Sequence, residues 1–407
     1  MATIVPFCGL RPNAFLASKI ASLPYDVYSR AEAKKIVENN PYSFLKIDRA
    51  ETQFDYDINM YSDRVYQKAS ETLQQMKATG EFIKDSSPCY YIYELVMEGR
   101  SQTGIVGCAA IDDYCDGIIM KHEDTRYDKE LDRIKHVSIC NAQTGPIFLT
   151  YRSNDMINGV IFKIKNEEKL YCFTSEDGIR HNVWKVAREE DMNIILNAFK
   201  DINQIYIADG HHRAAAAVKV GLSRRKEDSS YKSDEEFDYF LSVLFPDSEL
   251  MVMDYNRIVI DLNGYTPEEF LERVKVDFKV TVQGSEPYKP KTKGVMGMYL
   301  DKKWYSISEK AKTRINSVKD LDVSILQDKI LGPILGIVDP KTDQRIKFFG
   351  GIRGLKILEM AECGVAFSMY PTSVNELFSV ADAGLRMPPK STWFEPKLRS
   401  GLFIHEI

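Results

Sequence analysis

The stretch Gln204-Ile205-Tyr206-Ile207-Ala208-Asp209-Gly210-His211-His212-Arg213, continued by Ala214-Ala215-Ala216-Ala217-Val218-Lys219-Val220, decides how the rest of the chain is read. A short apolar run meets Asp-Gly and then a helix-favouring tract that ends before Gly221, which predicts a strand, a tight turn and a helix. Gly210 permits a sharp turn with close backbone approach, and the amides that follow would point out of a helix N-terminus. Arg213 adds a planar guanidinium fork suited to phosphate, so the segment is an anion site in outline. His211 and His212 can add donors or a proton-transfer group near neutral pH, and Asp209 could hold a histidine tautomer or a metal ion. The competing reading of the same residues is a capped helix with two structural histidines.

Upstream, Ala31 to Glu38 reads as a short helix broken at Asn40-Pro41, and Tyr56 to Ala78 as a long amphipathic helix stopped at Gly80. Tyr90 to Met97 and Thr103 to Ile111 read as strands joined through Glu98-Gly99-Arg100, Lys129 to Ser138 as a helix, and Pro146 to Thr150 and Val160 to Ile164 as strands. A helix at Glu189 to Phe199 leads into the central segment. Beyond it, the mixed-charge tract Ser223 to Asp238 reads as a solvated mobile loop or a lid. Further strands are expected at Leu241 to Phe245, Leu250 to Met253, Arg257 to Leu262, Val295 to Leu300 and Val365 to Met369. Helices are expected at Pro267 to Val276, capped by Thr266, at Asp322 to Leu335 and at Val374 to Ala383. The fold class is α/β in the mixed α+β sense, divided into an N-terminal region 1–240 and a C-terminal region 241–407.

Two more segments could carry chemistry. Lys121-His122-Glu123-Asp124-Thr125-Arg126 follows the apolar Ile118-Ile119-Met120, which places it at a strand end. Glu123 is a candidate general base for a substrate hydroxyl, Lys121 and Arg126 candidate phosphate neutralisers, and His122 and Thr125 candidate substrate contacts. An exposed, locally paired charge cluster is the alternative. In Pro388-Pro389-Lys390-Ser391-Thr392-Trp393-Phe394-Glu395-Pro396-Lys397-Leu398-Arg399-Ser400-Gly401-Leu402, Lys390 is a candidate phosphate contact and Ser391 and Thr392 candidate substrate contacts, while Trp393 and Phe394 are expected to pack. For a metal, adjacent histidines on one helix project about 100° apart, which argues against a zinc pair at His211 and His212. Magnesium held by carboxylates such as Asp209 and Asp124 together with substrate phosphates fits better.

Composition narrows the class. The chain has 407 residues, 54 of them basic and 59 acidic, a net charge of −5 that argues against nonspecific nucleic-acid binding. Cys8, Cys89, Cys108, Cys115, Cys140, Cys172 and Cys363 are scattered without CxxC spacing, and we read them as reduced and mostly buried, in a cytoplasmic compartment. Neither an export signal nor a membrane-spanning run is expected.

The strings ADGHHR, KHEDT and PPKSTWFEPKLRSGL, with PYDVYSRAEAKKIVENNPYSFLKI near the start, resemble in type and order the family known as domain of unknown function 1015, over essentially the whole chain. DGHHR also resembles the phosphate-contacting motif of free-serine kinases built on the ParB/sulfiredoxin fold. That second resemblance implies a ParB/sulfiredoxin-like core and a nucleotide or pyrophosphate held by Asp209, Gly210, His211, His212 and Arg213, with Mg²⁺ nearby. It further implies a carboxylate, for which Glu123 is the candidate, activating the hydroxyl of a small acceptor such as serine. There is no Walker GxxxxGK[ST] loop and no HRD or DFG set. The expected function is a small-molecule phosphotransferase. The alternatives are a nucleotide-dependent switch or partner-binding protein, and a metal-assisted phosphohydrolase.

Overall fold

The computed structural model describes residues 1–310 and 317–407. It forms two compact units, one of Met1–Leu250 with Pro396–Ile407 and one of Met251–Glu395. The division falls at 250/251, beyond the expected 240/241, because the strand Tyr239–Pro246 spans that point and belongs to the sheet of the first unit.

The first unit carries a nine-stranded mixed sheet. Its elements begin with the helices α1 (Arg30–Asn39) and α2 (Asp63–Ala78), then β1 (Tyr90–Met97), β2 (Arg100–Ala110), β3 (Ile119–Met120) and α3 (Tyr127–Cys140). They continue with β4 (Ile147–Tyr151), α4 (Asp155–Ile164), β5 (Tyr171–Thr174), β6 (Arg180–Val186), α5 (Glu189–Lys200), β7 (Ile205–Asp209), α6 (His211–Glu227) and β8 (Tyr239–Pro246). The order across the sheet is β3-β7-β4-β8-β2-β1-β6-β5, with Ile4–Val5 also paired to β2. The hairpin between β1 and β2 turns at Glu98 and Gly99, whose φ of 51° and 80° match the paired left-handed residues that suit strand twist.

Two neighbours in this sheet run parallel at its edge: Ile205 pairs with Ile119 and Tyr206 with Met120. Parallel strands finish at the same end of a sheet, so the residues after Met120 and those after Asp209 emerge side by side. The core beneath them is apolar on both strands, with Ile119, Ile205 and Ile207 buried among Ile147, Leu149 and Ala214. Helix α3 lies against α6, and Lys219 of α6 pairs with the buried Glu130 of α3.

Several sequence expectations are corrected. Val160 to Ile164, expected as a strand, is the second half of α4: Asn154 caps it by accepting from the amides of Met156 and Ile157, and Ile157, Val160, Ile161 and Ile164 make one buried face at helical spacing. Helix α2 starts at Asp63 rather than Tyr56, because the Asn59 side chain accepts from Tyr61 N–H at 2.9 Å and holds a turn ahead of it. Helix α6 passes through Gly221 and ends at Glu227. A Cβ at Gly221 would stand 2.3 Å from the Phe237 carbonyl oxygen, so this glycine serves close packing rather than a stop. The tract 223–238 is therefore helical for its first five residues, and Arg225 ties it down to Asp112 at 2.6 Å and Asp238 at 2.6 Å. The seven cysteines are free, but only Cys89, Cys108 and Cys140 are buried, since Cys115, Cys172 and Cys363 fall in a helix end, an outward strand position and a bend.

The second unit has a six-stranded antiparallel sheet in the order Phe278–Gly284, Lys303–Glu309, Val295–Leu300, Val365–Ser368, Tyr255–Val259, Ile346–Gly350. Its helix Pro267–Asp277 opens with the anticipated Thr266 cap, completed by Glu269 as a capping box. The helix expected at Asp322 to Leu335 is α-helical to Leu326 and continues as a π turn over Gln327–Leu331. Among the described residues no helix is long and apolar enough to cross a membrane.

Candidate functional site

Gly210 has φ 98° and ψ 28° and forms the start of α6, directly after Asp209 closes β7. Its N–H donates to Asp209 Oδ1 at 2.9 Å, which sharpens the turn. The first bond inside the helix runs from Ala214 N–H to the Gly210 carbonyl at 2.9 Å, so the amides of His211, His212 and Arg213 point out of the helix start. The first turn contains no acidic residue. Seventeen residues of helix thus direct their positive end at this turn.

Arg213 folds back over Gly210. A Cβ on residue 210 would lie 3.0–3.2 Å from the guanidinium, and φ would remain in the left-handed region. Gly210→Ala is accordingly expected to cost about 1–2 kcal/mol of stability from the backbone conformation and to displace Arg213, which differential scanning calorimetry and anion titration of the variant would register.

Arg213 Nη1 donates to the Pro146 carbonyl, and Nη2 stands 3.9 Å from Asp209 Oδ2. The same carboxylate oxygen accepts from Lys397 Nζ at 3.3 Å. Burial alone would raise the Asp209 carboxyl, but Lys397 and Arg213 more than offset it and hold the group well below the usual carboxylate range. Asp209 is therefore a fixed anion that orients two cations at the helix start. Lys397 arrives because the C-terminal segment returns through the first unit: Ser400 pairs with Ser22, Ile404 with Leu10 and His405 with Gln143.

From the β3 side come His122 and Glu123. The His122 and His211 rings meet edge to face with centroids 4.6 Å apart, and both are buried. One ligand atom each from His122, Glu123 and His211 lies within 4.8 Å of the other two. His212 Nε2 accepts the backbone N–H of Arg126 at 2.9 Å, which clips the 121–126 loop onto the first turn of α6 and leaves Nδ1 as that ring's donor. The flanking side chains have other engagements. Lys121 Nζ sits 4.2 Å from the Tyr114 ring centroid, Arg126 forks onto Asp128 at 2.9 Å and 3.2 Å, and Thr125 Oγ1 donates to Glu130 at 2.9 Å. Asp124 is exposed. Lys390, Ser391 and Thr392 belong to the second unit, where Lys390 O accepts from Arg257, Ser391 Oγ donates to Pro388 O at 2.6 Å, and Thr372 donates to Ser391 O.

Sequence reading passed over a polar cavity that begins at Arg213. Arg213, Tyr25, Asp48, Arg133 and His136 share one hollow, and the last four also wall a neighbouring cavity of about 350 Å³ with Arg49 and Asp132. The Arg133 guanidinium stacks 3.9 Å from the Tyr25 ring centroid and donates to Asp132 at 2.8 Å, while Tyr66 O–H donates to the other Asp132 oxygen at 2.8 Å. Arg49 donates to Glu51 at 2.7 Å and to the carbonyls of Tyr25 and Tyr28. Both signs of charge therefore face one space. Arg213 apart, only Tyr25 and Tyr28, inside the quoted PYDVYSR string, belonged to a quoted motif, since buried charges give no periodicity of their own.

No curated protein matches the sequence. Among solved structures, a free serine kinase mutant in complex with AMP aligns at 13% identity over 74% of this chain and 91% of its own, with a TM-score of 0.37. A conserved hypothetical protein from Pyrococcus furiosus aligns at 14% identity over 74% and 94%, TM-score 0.36. SbnI with a C-terminal truncation, from Staphylococcus aureus, aligns at 11% identity over 71% and 82%, TM-score 0.36. Scores this low carry no argument about the site. The profile described as protein of unknown function (DUF1015), in contrast, matches residues 4–324, a span that holds both the KHEDT and the DGHHR segments. The chain belongs to the DUF1015 family.

Proposed function

We propose that this protein is a small-molecule phosphotransferase that takes phosphate from a nucleotide or pyrophosphate, on a ParB/sulfiredoxin-like core, and passes it to the hydroxyl of a small acceptor such as free serine. The observation that carries this reading is the meeting of two loops at one sheet end. The amides of α6 with Arg213 and Lys397 form an anion cradle, and Glu123 stands beside it on the loop after β3.

The donor's phosphate would lie against the first turn of α6 with Arg213 as its fork, leaving Asp209 to fix Lys397 and Arg213. Glu123 would accept the acceptor's hydroxyl proton as the new P–O bond forms and the bond to the leaving phosphate breaks. His211 and Lys121 would lend donors to the transferring group, and His212 through Nδ1. Mg²⁺ brought with the phosphates would find its protein oxygens at Asp124 and Asp209. The cavity beside Arg213, with carboxylates and guanidinium groups on its walls, has the chemistry to hold a zwitterionic amino acid. Arg126, Thr125 and His122 keep the supporting contacts expected from sequence as part of this proposal.

Phosphorus NMR of the full chain with Mg²⁺, serine and either ADP, ATP or pyrophosphate tests the reaction. A new phosphomonoester signal is expected, and Glu123→Gln should slow its appearance by about 10²–10⁴-fold, the usual range for a general base. Unchanged turnover in Glu123→Gln would remove that residue's role, and consumption of donor with release of inorganic phosphate alone would replace transfer by hydrolysis.

A further inference from the structure

We infer that His122, Glu123 and His211 form a binding site for a first-row transition-metal dication, separate from any magnesium that accompanies phosphate. The histidine pair is not the adjacent one that the sequence brings to mind. It is made by two elements: His122 stands two residues beyond β3 and His211 opens α6, and the parallel pairing of β3 with β7 delivers them to one end of the sheet.

The donor set decides the class of metal. Two imidazoles and one carboxylate suit zinc, cobalt, manganese or iron, whereas magnesium and calcium demand oxygen donors. The geometry is close to what such an ion requires. Its ligand atoms lie within 4.8 Å of one another. Tetrahedral bonds of roughly 2.0–2.2 Å to nitrogen and oxygen place ligands about 3.4 Å apart, so a contraction of no more than about 1.4 Å closes the site.

The surroundings hold the ligands in place. His122 and His211 are buried, which limits the freedom lost on binding, and the Arg126-to-His212 hydrogen bond at 2.9 Å fastens the loop bearing His122 and Glu123 to the turn bearing His211. Three protein ligands leave a fourth position open. The positive end of α6 would favour an anionic occupant there, hydroxide or a phosphate oxygen. A bound dication would polarise whichever of these it held.

The inference goes beyond the phosphotransferase reading and is tested without a phosphate donor. Chelator-treated full-length protein is titrated with Zn²⁺ by calorimetry and with Co²⁺ by visible absorption, for wild type, His122→Asn, Glu123→Gln and His211→Asn. Wild type is expected to bind one ion per chain. Each variant should bind at least about 100-fold more weakly, the upper end of what losing even an outer-shell partner costs. Thermal midpoints of the metal-free variants establish folding, and if a buried histidine variant fails to fold, the half-buried Glu123→Gln carries the test alone. No stoichiometric binding by wild type, or equal binding by the folded variants, overturns the site. Either failure would leave the phosphotransferase reading standing, because the anion cradle uses Gly210, Arg213 and Lys397.

Discussion

Arg213→Ala is expected to lose about a thousandfold in turnover, the scale on which removing a charged donor from a transferring phosphoryl group acts. It is also expected to lose the stabilisation that donor gives the folded wild type. At a ligand concentration one hundred times its dissociation constant, that stabilisation amounts to about 2.7 kcal/mol. Arg213 is placed for both effects: its guanidinium covers the Gly210 turn, donates to Pro146 O, and borders the cavity that holds Tyr25, Asp48 and Arg133. Arg213→Lys separates charge from geometry. A lysine keeps the positive charge but not the fork, so partial binding with poor turnover is expected, and full activity in the lysine variant would contradict a bidentate role.

The second large effect is on stability and lies away from the site. Asp85 Oδ1 accepts from Lys185 at 2.8 Å and Arg11 at 3.0 Å, while Oδ2 accepts from Arg11 Nε at 3.0 Å and from Tyr91 O–H. This one carboxylate ties the paired segments Leu10–Pro12 and Phe82–Lys84 to strands β1 and β6. With its side chain only 5% exposed, Asp85→Asn leaves two cations without their counter-charge and should cost about 3 kcal/mol. Burial works against the Asp85 charge, but the bonds from Arg11, Lys185 and Tyr91 prevail and lower its pKa to about 2. A folded-state pKa below the unfolded value stabilises above the unfolded pKa and is lost as pH falls through the folded one. The stability difference between wild type and Asp85→Asn should therefore be full above about pH 4 and shrink towards pH 2. Denaturant titration across that window measures it, and a difference that does not vary with pH would show that Asp85 acts through packing instead of charge.

The turn and the strand end that flank the candidate site were legible in the sequence, and their meeting was not. Gly210 announced a turn, and the structure gives it the left-handed φ that only glycine adopts without strain. Met120 announced a strand end, and the loop that follows carries His122 and Glu123 into the site. What no local pattern encodes is that a two-residue strand at Ile119–Met120 pairs with β7, eighty-six residues later along the chain, because two residues have no periodicity. Lys397 was quoted within its motif without a role, since its contact with Asp209 depends on the C-terminal segment threading back past Ser22, Gln143 and Leu10. The helix over Asp155–Ile164 was misread from its last five residues, VIFKI, which are β-branched and apolar enough to look like a strand; the signal that settles the matter is the cap at Asn154, six residues earlier. The tract after Gly221 was misread for a related reason. A glycine inside a helix is indistinguishable in sequence from one that ends it until the Phe237 backbone is seen against it.

The central claim is that phosphate is held at the start of α6. Hydrogen–deuterium exchange of the full chain, with and without saturating pyrophosphate and Mg²⁺, tests it most directly because exchange locates the protected amides. Slowed exchange confined to the turn and first helical turn spanning Asp209 to Ala214, and absent in Arg213→Ala, is the predicted result. Saturable pyrophosphate binding with no protection in that peptide would contradict the account and move the anion site elsewhere.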